Sequence, residues 1–179
     1  MTIRCKAAVL RKVGAPRPWA RSQPLSIEEV NLAPPKPVEM LVRIAGAGLC
    51  HSDLSMINGD RPRAVPIAMG HEGAGEVVEV GSAISDVRAG DHVVFQFSAS
   101  CCRCPRCIEG RPQICERASA AKAVGEMMAG GSRITSLNGE RISHQLGLSC
   151  MAEYAVVDRG SVVVIDKDMP LADAALFGC

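Results

Sequence analysis

Residues 101–115 read Cys101-Cys-Arg-Cys-Pro-Arg-Cys-Ile-Glu-Gly-Arg-Pro-Gln-Ile-Cys115 and form the most distinctive stretch of the chain. Four of its cysteines follow the spacing C-x2-C-x2-C-x7-C, and they are Cys101, Cys104, Cys107 and Cys115. Three thiols at intervals of three residues can point into one small volume, and a fourth can complete a tetrahedron after a short loop. Four thiolates at about 2.3 Å are the ligands of a closed structural Zn²⁺ site. The spacing therefore predicts a structural zinc loop over residues 101–115.

Two other readings of this loop stay open, namely an iron–sulfur cluster and thiols without metal. The bacterial ferredoxin run is C-x2-C-x2-C-x3-C-P. Here the last gap is seven residues, and Pro105 follows Cys104 instead of the last cysteine, so zinc is favoured. Cys102 is left out because adjacent residues rarely serve one tetrahedron. The arginines near the loop either offset the charge of a four-thiolate site or are ordinary solvated side chains; they are Arg103, Arg106, Arg111 and Arg117.

Length and composition favour one globular domain with no nucleic-acid or membrane partner. The chain has 179 residues, 47% of them hydrophobic, and a net charge of +1. It contains only three Phe, one Trp and one Tyr, too few for a base-stacking surface. No apolar run approaches the ~18 residues of a membrane span, and charged residues interrupt the first twelve residues. We expect a soluble cytoplasmic protein. Nine cysteines without a secretion signal favour metal binding over disulfides.

Short extended segments separated by Gly and Pro predict a β-barrel or sandwich with few helices. The expected strands include 3–13, 25–32, 38–44, 77–80, 91–97, 151–157 and 161–165. In the third of these, alternation places Glu39 and Arg43 on the polar face. Asn138-Gly139 predicts a type I′ hairpin turn between 133–137 and 140–143. Helices are expected to begin near residue 50 and after Pro170.

Two further stretches contain side chains that could bind a metal or take part in catalysis. Cys50-His51-Ser52-Asp53 follows a predicted strand, and His71-Glu72 lies in a glycine-rich segment that lacks the features of a phosphate-binding loop. Taken singly, Cys50 fits a small buried thiol as well as a metal ligand, and His71 fits an ordinary core histidine as well as a ligand.

Together the motifs resemble the zinc-containing alcohol dehydrogenases of the medium-chain dehydrogenase/reductase superfamily. The motifs are G-L-C-H-S-D at 48–53, G-H-E at 70–72, the four-cysteine loop, and L-F-G-C at 176–179. The resemblance covers nearly the whole chain. It implies a GroES-like catalytic domain over residues 1–179, mainly β with short helices, built as a partly open barrel.

The resemblance also implies two zinc ions, one structural and one catalytic. The structural ion matches the four-cysteine loop. The catalytic ion matches Cys50, His71 and Cys179, with the fourth position left for water or substrate, which is the Cys₂His set of alcohol dehydrogenases.

Other residues match positions that have known roles in the family that the chain resembles. Ser52 matches the hydroxyl that accepts the alcohol proton, and Asp53 matches the carboxylate that orients the histidine ligand. Glu72 matches the acidic residue behind the zinc, and His51 a position that contacts the cofactor pyrophosphate. Ser55 stands where many members carry a histidine at the outer end of a proton relay. Proton exit must then use Ser55, water or another group.

The resemblance implies hydride transfer between an alcohol or aldehyde and NAD or NADP in a homo-oligomeric enzyme. The family continues into a nicotinamide-binding Rossmann domain, so we expect the 179-residue chain to be inactive alone. Within the enzyme class, a thiol-linked, class III type formaldehyde dehydrogenase is the alternative. Outside it, the alternatives are a zinc-stabilised module without catalysis and an iron–sulfur protein.

Overall fold

A computed structural model describes residues 1–179, and strands dominate it. The strands β1 to β10 are Ile3–Leu10, Leu25–Leu32, Glu39–Ala47, Ile67–Ala68, Gly73–Val80, His92–Phe95, Ile134–Ser136, Arg141–His144, Tyr154–Asp158 and Val162–Ile165. The α-helices α1 to α5 are Trp19–Ser22, His51–Asn58, Pro105–Ile108, Glu116–Ala123 and Leu171–Ala174. Short 3₁₀ turns cover Pro112–Ile114, Arg159–Ser161 and Ala175–Gly178. None of the helices has both the length and the apolar character that crossing a membrane requires.

A closed barrel and a five-stranded sheet make up the architecture. The barrel runs β1-β2-β7-β8-β4, and β4 closes it by pairing parallel to β8 and antiparallel to β1. Closure leaves no free edge in this ring. The second sheet has the order β10-β6-β5-β3-β9, with every pair antiparallel. The prediction of a mainly β, GroES-like domain with short helices is confirmed, but the barrel, which was expected to be partly open, is closed.

Each sheet has its own apolar core. Side chains such as Val9, Leu32 and Ile142 fill the barrel. Val42, Phe95 and their neighbours fill the second core. In each case small and β-branched residues dominate, which suits a pleated surface packed at close range.

The pairing of β3 with β5 positions the chemistry-bearing segments. Ala47 at the end of β3 pairs with Gly73 at the start of β5, and the Gly48 N–H donates to the Glu72 carbonyl at 3.0 Å. The residues that follow β3 therefore lie beside the residues that precede β5. Helix α5 packs across the same two strands and carries the end of the chain to them.

The expectation that Glu39 lies on the polar face of its strand is wrong. Glu39 is completely buried, because β3 is an inner strand and that end of it is covered on both faces. Its carboxylate accepts two hydrogen bonds from the buried Arg133 guanidinium, both at 2.7 Å, and a third from the Lys36 N–H. The pair links the second sheet to the segment that enters β7.

Two local predictions also need correction. The first strand ends at Leu10, not Val13, because the Gly14 N–H donates to the Ile57 carbonyl and draws the chain to the end of α2. The hairpin between β7 and β8 is confirmed, but its turn is not type I′: of the expected pair only Gly139 has positive φ. The Ser136 N–H donates to the Glu140 carbonyl, which leaves three residues, 137–139, in the turn, and the Gly139 N–H donates to the Ser136 carbonyl within it.

We predict that the Glu39–Arg133 pair is far more sensitive to the loss of one partner than of both. Arg133→Met leaves a carboxylate buried without a counter-charge, and we expect a loss of about 3–5 kcal/mol in the free energy of unfolding. Glu39→Met combined with Arg133→Met removes both charges and should recover most of that loss. Urea denaturation of the three proteins measures the difference.

Arg43→Met serves as the matched control, since Arg43 pairs with Glu76 at the surface. An exposed pair contributes about 0–1 kcal/mol. The buried pair would be shown to be unimportant if Arg133→Met cost no more than Arg43→Met.

Candidate metal centres and active site

The four cysteines of the 101–115 loop converge on one point. Their sulfur atoms all lie within 4.8 Å of one another. The Cys104 sulfur is 3.5 Å from that of Cys107 and 3.9 Å from that of Cys115. A tetrahedron with bonds of about 2.3 Å has sulfur–sulfur edges of about 3.8 Å, so the donor set fits Zn²⁺.

The backbone of the loop favours thiolates. Helix α3 begins after Cys104, and the N–H of Cys107 lowers the pKa of the Cys104 thiol to about 6. The Cys101 N–H donates to the Cys115 sulfur at 3.4 Å. Cys102 is exposed and stands outside the cluster. Arg106 pairs with Glu109 and Glu116, so carboxylates rather than thiolates are its partners.

A second group of donors lies where β3, β5 and the chain end meet. The donor atoms of Cys50, His71, Glu72 and Cys179 lie within 4.8 Å of one another, and the two sulfur atoms are 3.7 Å apart. Cys50 caps the N-terminus of α2, and its sulfur accepts from the Ser52 N–H. That bond lowers the pKa of the Cys50 thiol. Two soft sulfurs, an imidazole and a nearby carboxylate are a donor set suited to zinc.

Asp53 fixes the orientation of His71. Its Oδ1 lies 3.0 Å from His71 Nδ1, and its Oδ2 accepts from the Cys50 N–H at 2.9 Å. Burial alone would raise the pKa of Asp53, but these hydrogen bonds outweigh it and the pKa is lowered. Burial likewise opposes protonation of His71, yet Asp53 raises its pKa overall. With Nδ1–H donated to the carboxylate, Nε2 is the atom free to bind a metal.

Sequence reasoning missed Gln145, a buried amide that completes this network. Its Nε2 donates to Asp53 Oδ1 at 2.5 Å, and its Oε1 accepts from the Gly70 N–H. Gly70 has φ of +103°, and a side chain there would collide with the Met151 backbone. Gln145 follows β8, more than 70 residues from His71, so no local pattern could have indicated the contact.

Glu72 reaches the donor group because Gly48 has no side chain. A Cβ at Gly48 would overlap the Glu72 carboxylate. The backbone carbonyl of Glu72 is held in turn by the buried Cys150 thiol, which donates to it at 3.1 Å. The Cys150 thiol is therefore used in a hydrogen bond that helps to position the backbone at Glu72. No cysteine of the structure is in a disulfide, so the disulfide alternative is not supported.

Ser52, His71 and Cys179 line one cavity of about 320 Å³, on the open side of the donor group. The Phe97 ring stands edge-on to the His71 ring, with centroids 6.3 Å apart, and forms another wall. His51 is exposed, does not line the cavity, and has Nδ1 3.4 Å from the Ser55 hydroxyl. Ser55 therefore contacts His51, one turn away on α2.

Comparison with known proteins identifies the family. The sequence profile described as "Alcohol dehydrogenase GroES-like domain" matches residues 36–167. This match covers most of the chain, and relatives extend it over nearly all of it. The chain belongs to the family of the alcohol dehydrogenase GroES-like domain, as the motifs predict.

The relatives are enzymes about twice as long as this chain. It is 36% identical over 178 residues to "Alcohol dehydrogenase class-3" of Drosophila melanogaster, covering 99% of this chain and 45% of that protein. It is 38% identical to "S-(hydroxymethyl)glutathione dehydrogenase" of Synechocystis, covering 99% and 46%. The chain therefore spans about half the length of the curated relatives that it matches.

Solved structures agree with the fold. An alcohol dehydrogenase zinc-binding domain protein from Burkholderia ambifaria superposes with a TM-score of 0.89 and 32% identity, over 100% of this chain and 46% of that one. Benzyl alcohol dehydrogenase from Acinetobacter calcoaceticus superposes with a TM-score of 0.85 and 25% identity, over 99% and 45%.

We predict that Gln145→Leu weakens metal binding at the Cys50–His71–Cys179 group without affecting the four-cysteine loop. The substitution removes the donor to Asp53 and leaves the Gly70 N–H without its acceptor. Loss of an outer partner of a metal ligand typically lowers metal affinity about 10–100-fold. Competition with a chromophoric chelator gives the affinities of the two sites.

Gln113→Leu is the control, since Gln113 is an exposed glutamine within the 101–115 loop that is not one of the metal-binding side chains. Gln145 would be shown to have no positioning role if both variants released metal at the same chelator concentration as the unsubstituted protein.

Proposed function

We propose that the chain binds two zinc ions. Cys101, Cys104, Cys107 and Cys115 hold a closed structural site, supported by the fit of their spacing to a tetrahedron. Cys50, His71 and Cys179 hold a second site that keeps one position open toward the cavity. Residues 1–179 form a single catalytic domain on this view, with 101–115 as its structural zinc loop.

The protein that carries this chain is, we infer, a zinc-dependent alcohol dehydrogenase that transfers a hydride from an alcohol to NAD or NADP. One observation carries this proposal: a second donor group, distinct from the four-cysteine site, opens onto a cavity that also contains the Ser52 side chain. A zinc-stabilised module without catalysis needs only the first site. Zinc in the second site supplies Lewis acidity toward the oxygen of a bound alcohol.

The residues around the cavity have separate roles in this proposal. Ser52 accepts the proton of the alcohol, since its hydroxyl lies at the same cavity as the ligands. Asp53 and Gln145 hold His71 in one orientation, so that the geometry is fixed before the substrate arrives. Glu72 places a carboxylate on the buried side of the group.

His51 faces solvent at the start of α2, where it is available to the cofactor pyrophosphate. The Ser55 hydroxyl lies 3.4 Å from Nδ1 of the exposed His51, so a proton that reaches Ser55 can pass to His51 and from there to solvent. Exposed apolar side chains at Leu49, Leu176 and Phe177 support association with further protein surface, in keeping with a homo-oligomer. We also propose that the protein is cytoplasmic.

A thiol-linked formaldehyde dehydrogenase is the second candidate. Relatives from several organisms carry the name S-(hydroxymethyl)glutathione dehydrogenase, at 38% identity. Its substrate would be an alcohol formed on a thiol. Comparing simple primary alcohols with the adduct of formaldehyde and glutathione distinguishes the two candidates.

We predict two zinc ions per chain by elemental analysis and one in Cys50→Ser. Replacing Cys50 removes a thiolate from the second group and leaves the four-cysteine loop untouched. Cys102→Ser, which changes an exposed thiol outside both groups, is the control and should keep two ions. If the unsubstituted protein holds only one zinc and Cys50→Ser leaves that number unchanged, the protein is limited to the structural site; iron in place of zinc would refute the dehydrogenase proposal.

We predict that Ser52→Ala lowers kcat for alcohol oxidation about 10²–10⁴-fold while the zinc content stays at two, since one positioned proton acceptor contributes about that much. Nucleotide reduction in the complete enzyme, followed by absorbance, measures kcat. Ser82→Ala removes an exposed serine and serves as control. Unchanged turnover in Ser52→Ala would exclude Ser52 from the proton transfer.

A further inference from the structure

Three cations line the cavity in front of the proposed catalytic zinc site, and no Asp or Glu lines it. Arg61 and Arg63 come from the loop after α2, and Lys122 comes from the last turn of α4. They share the cavity with Ser52, His71 and Cys179, which belong to the proposed reaction centre. The cavity walls are therefore cationic where the substrate would extend away from that centre.

None of the three cations has a carboxylate partner. The ion pairs of the structure involve other residues throughout. The Arg63 side chain donates only to the neighbouring Pro62 carbonyl. Asp60, which precedes Arg61, does not line the cavity and accepts from Asn58. Glu126, near Lys122 in the chain, pairs with Arg141.

Arg61 and Arg63 have exposed side chains, whereas Lys122 is half-buried. The Arg61 N–H donates to the Ser55 carbonyl at 3.1 Å, which ties the loop to α2. Lys122 is half-buried, and this burial lowers the pKa of its ammonium group. The Cys115 thiol opposes this lowering, but no carboxylate pairs with Lys122. A partly desolvated ammonium with no carboxylate partner gains from an anionic ligand, because a hydrogen bond to a charged group contributes more than one between neutral groups.

We propose that the cavity selects alcohols that carry a carboxylate, held by Arg61, Arg63 and Lys122 while the hydroxyl lies at Ser52 and the zinc site. This proposal rests on the proposed function and narrows its substrate class. A cavity of about 320 Å³ has room for a compact substrate with the two groups at opposite ends.

The phosphates of the nicotinamide cofactor are the other source of anionic oxygen. The structure favours the substrate, because the three cations share a cavity with Ser52, His71 and Cys179. The side chain expected to meet the cofactor pyrophosphate, His51, is outside that cavity.

Turnover of matched substrates by the complete enzyme tests the proposal. The substrates are 4-(hydroxymethyl)benzoate, its methyl ester and benzyl alcohol, which share one reacting group and differ in charge. We expect kcat/KM to be about 10- to 100-fold higher for the carboxylate than for the ester, mainly through KM. The preference should shrink as ionic strength rises, because exposed charges are screened.

Arg61→Gln, Arg63→Gln and Lys122→Gln should each reduce the carboxylate preference about 5-fold or more, measured as the ratio of kcat/KM for the carboxylate to kcat/KM for benzyl alcohol. Lys167→Gln, which removes an exposed lysine distant in sequence from the cavity loops, is the control. Calorimetric titration of the 179-residue protein with 4-(hydroxymethyl)benzoate and with its ester provides a readout without turnover.

Each outcome bears on one proposal or the other. Equal turnover of all three substrates overturns the substrate inference and leaves the dehydrogenase intact. If the variants raise KM for the nucleotide but keep the carboxylate preference, the cations bind the cofactor, and the substrate inference is overturned. Should no alcohol be oxidised, the proposed function fails; carboxylate binding in the calorimeter that is lost in the three variants would then still support an anion site.

Discussion

The antiparallel pairing of β3 with β5 is the constraint on which the proposed active site depends. Cys50 and His71 are 21 positions apart in the sequence, and a soft donor pair at that separation has no local reason to meet. The pairing of Ala47 with Gly73 brings them together, because one segment leaves its strand where the other enters. Gly48 and Gly73 lack side chains at this junction, which lets the Glu72 carboxylate and the Cys150 thiol pack directly against the backbone.

A buried polar network then converts proximity into one geometry. Asp53 caps α2 through the Cys50 N–H and also binds His71, so a single carboxylate fixes both a helix start and an imidazole. Gln145 connects that carboxylate to the Gly70 backbone. Partly satisfied networks are costly in a low-dielectric interior, whereas this one has a partner at each of these positions. These buried hydrogen bonds hold the side chain of His71 and the backbone at Cys50 in fixed positions.

The sequence predicts the local features of this molecule well and the long-range ones poorly. Four cysteines within fifteen residues can be recognised from spacing alone, because cysteines three residues apart can point to one side of a turn and a short loop can return the fourth to them. Glu39 shows the limit: alternation indicated a solvent-facing side chain, but the partner that permits its burial, Arg133, lies 94 positions away. Gln145 is missed for the same reason. Helix α4 was not predicted because its residues have no apolar periodicity, and only Ala118 in it is buried.

Charge is divided across the proposed catalytic centre. Asp53 and Glu72 lie on the buried side, while Arg61, Arg63 and Lys122 line the cavity on the open side together with Cys179, and no Asp or Glu lines that cavity. Two thiolates and the nearby carboxylates would offset the charge of a zinc ion bound there, so the metal itself would exert little net attraction on a distant anion. The cations in front are then the main positive field felt by an entering ligand. If both proposals hold, the metal site would act on the reacting oxygen and the loop after α2 would bind the remainder of the substrate, so substrate choice could change through Arg61 and Arg63 without disturbing the ligands.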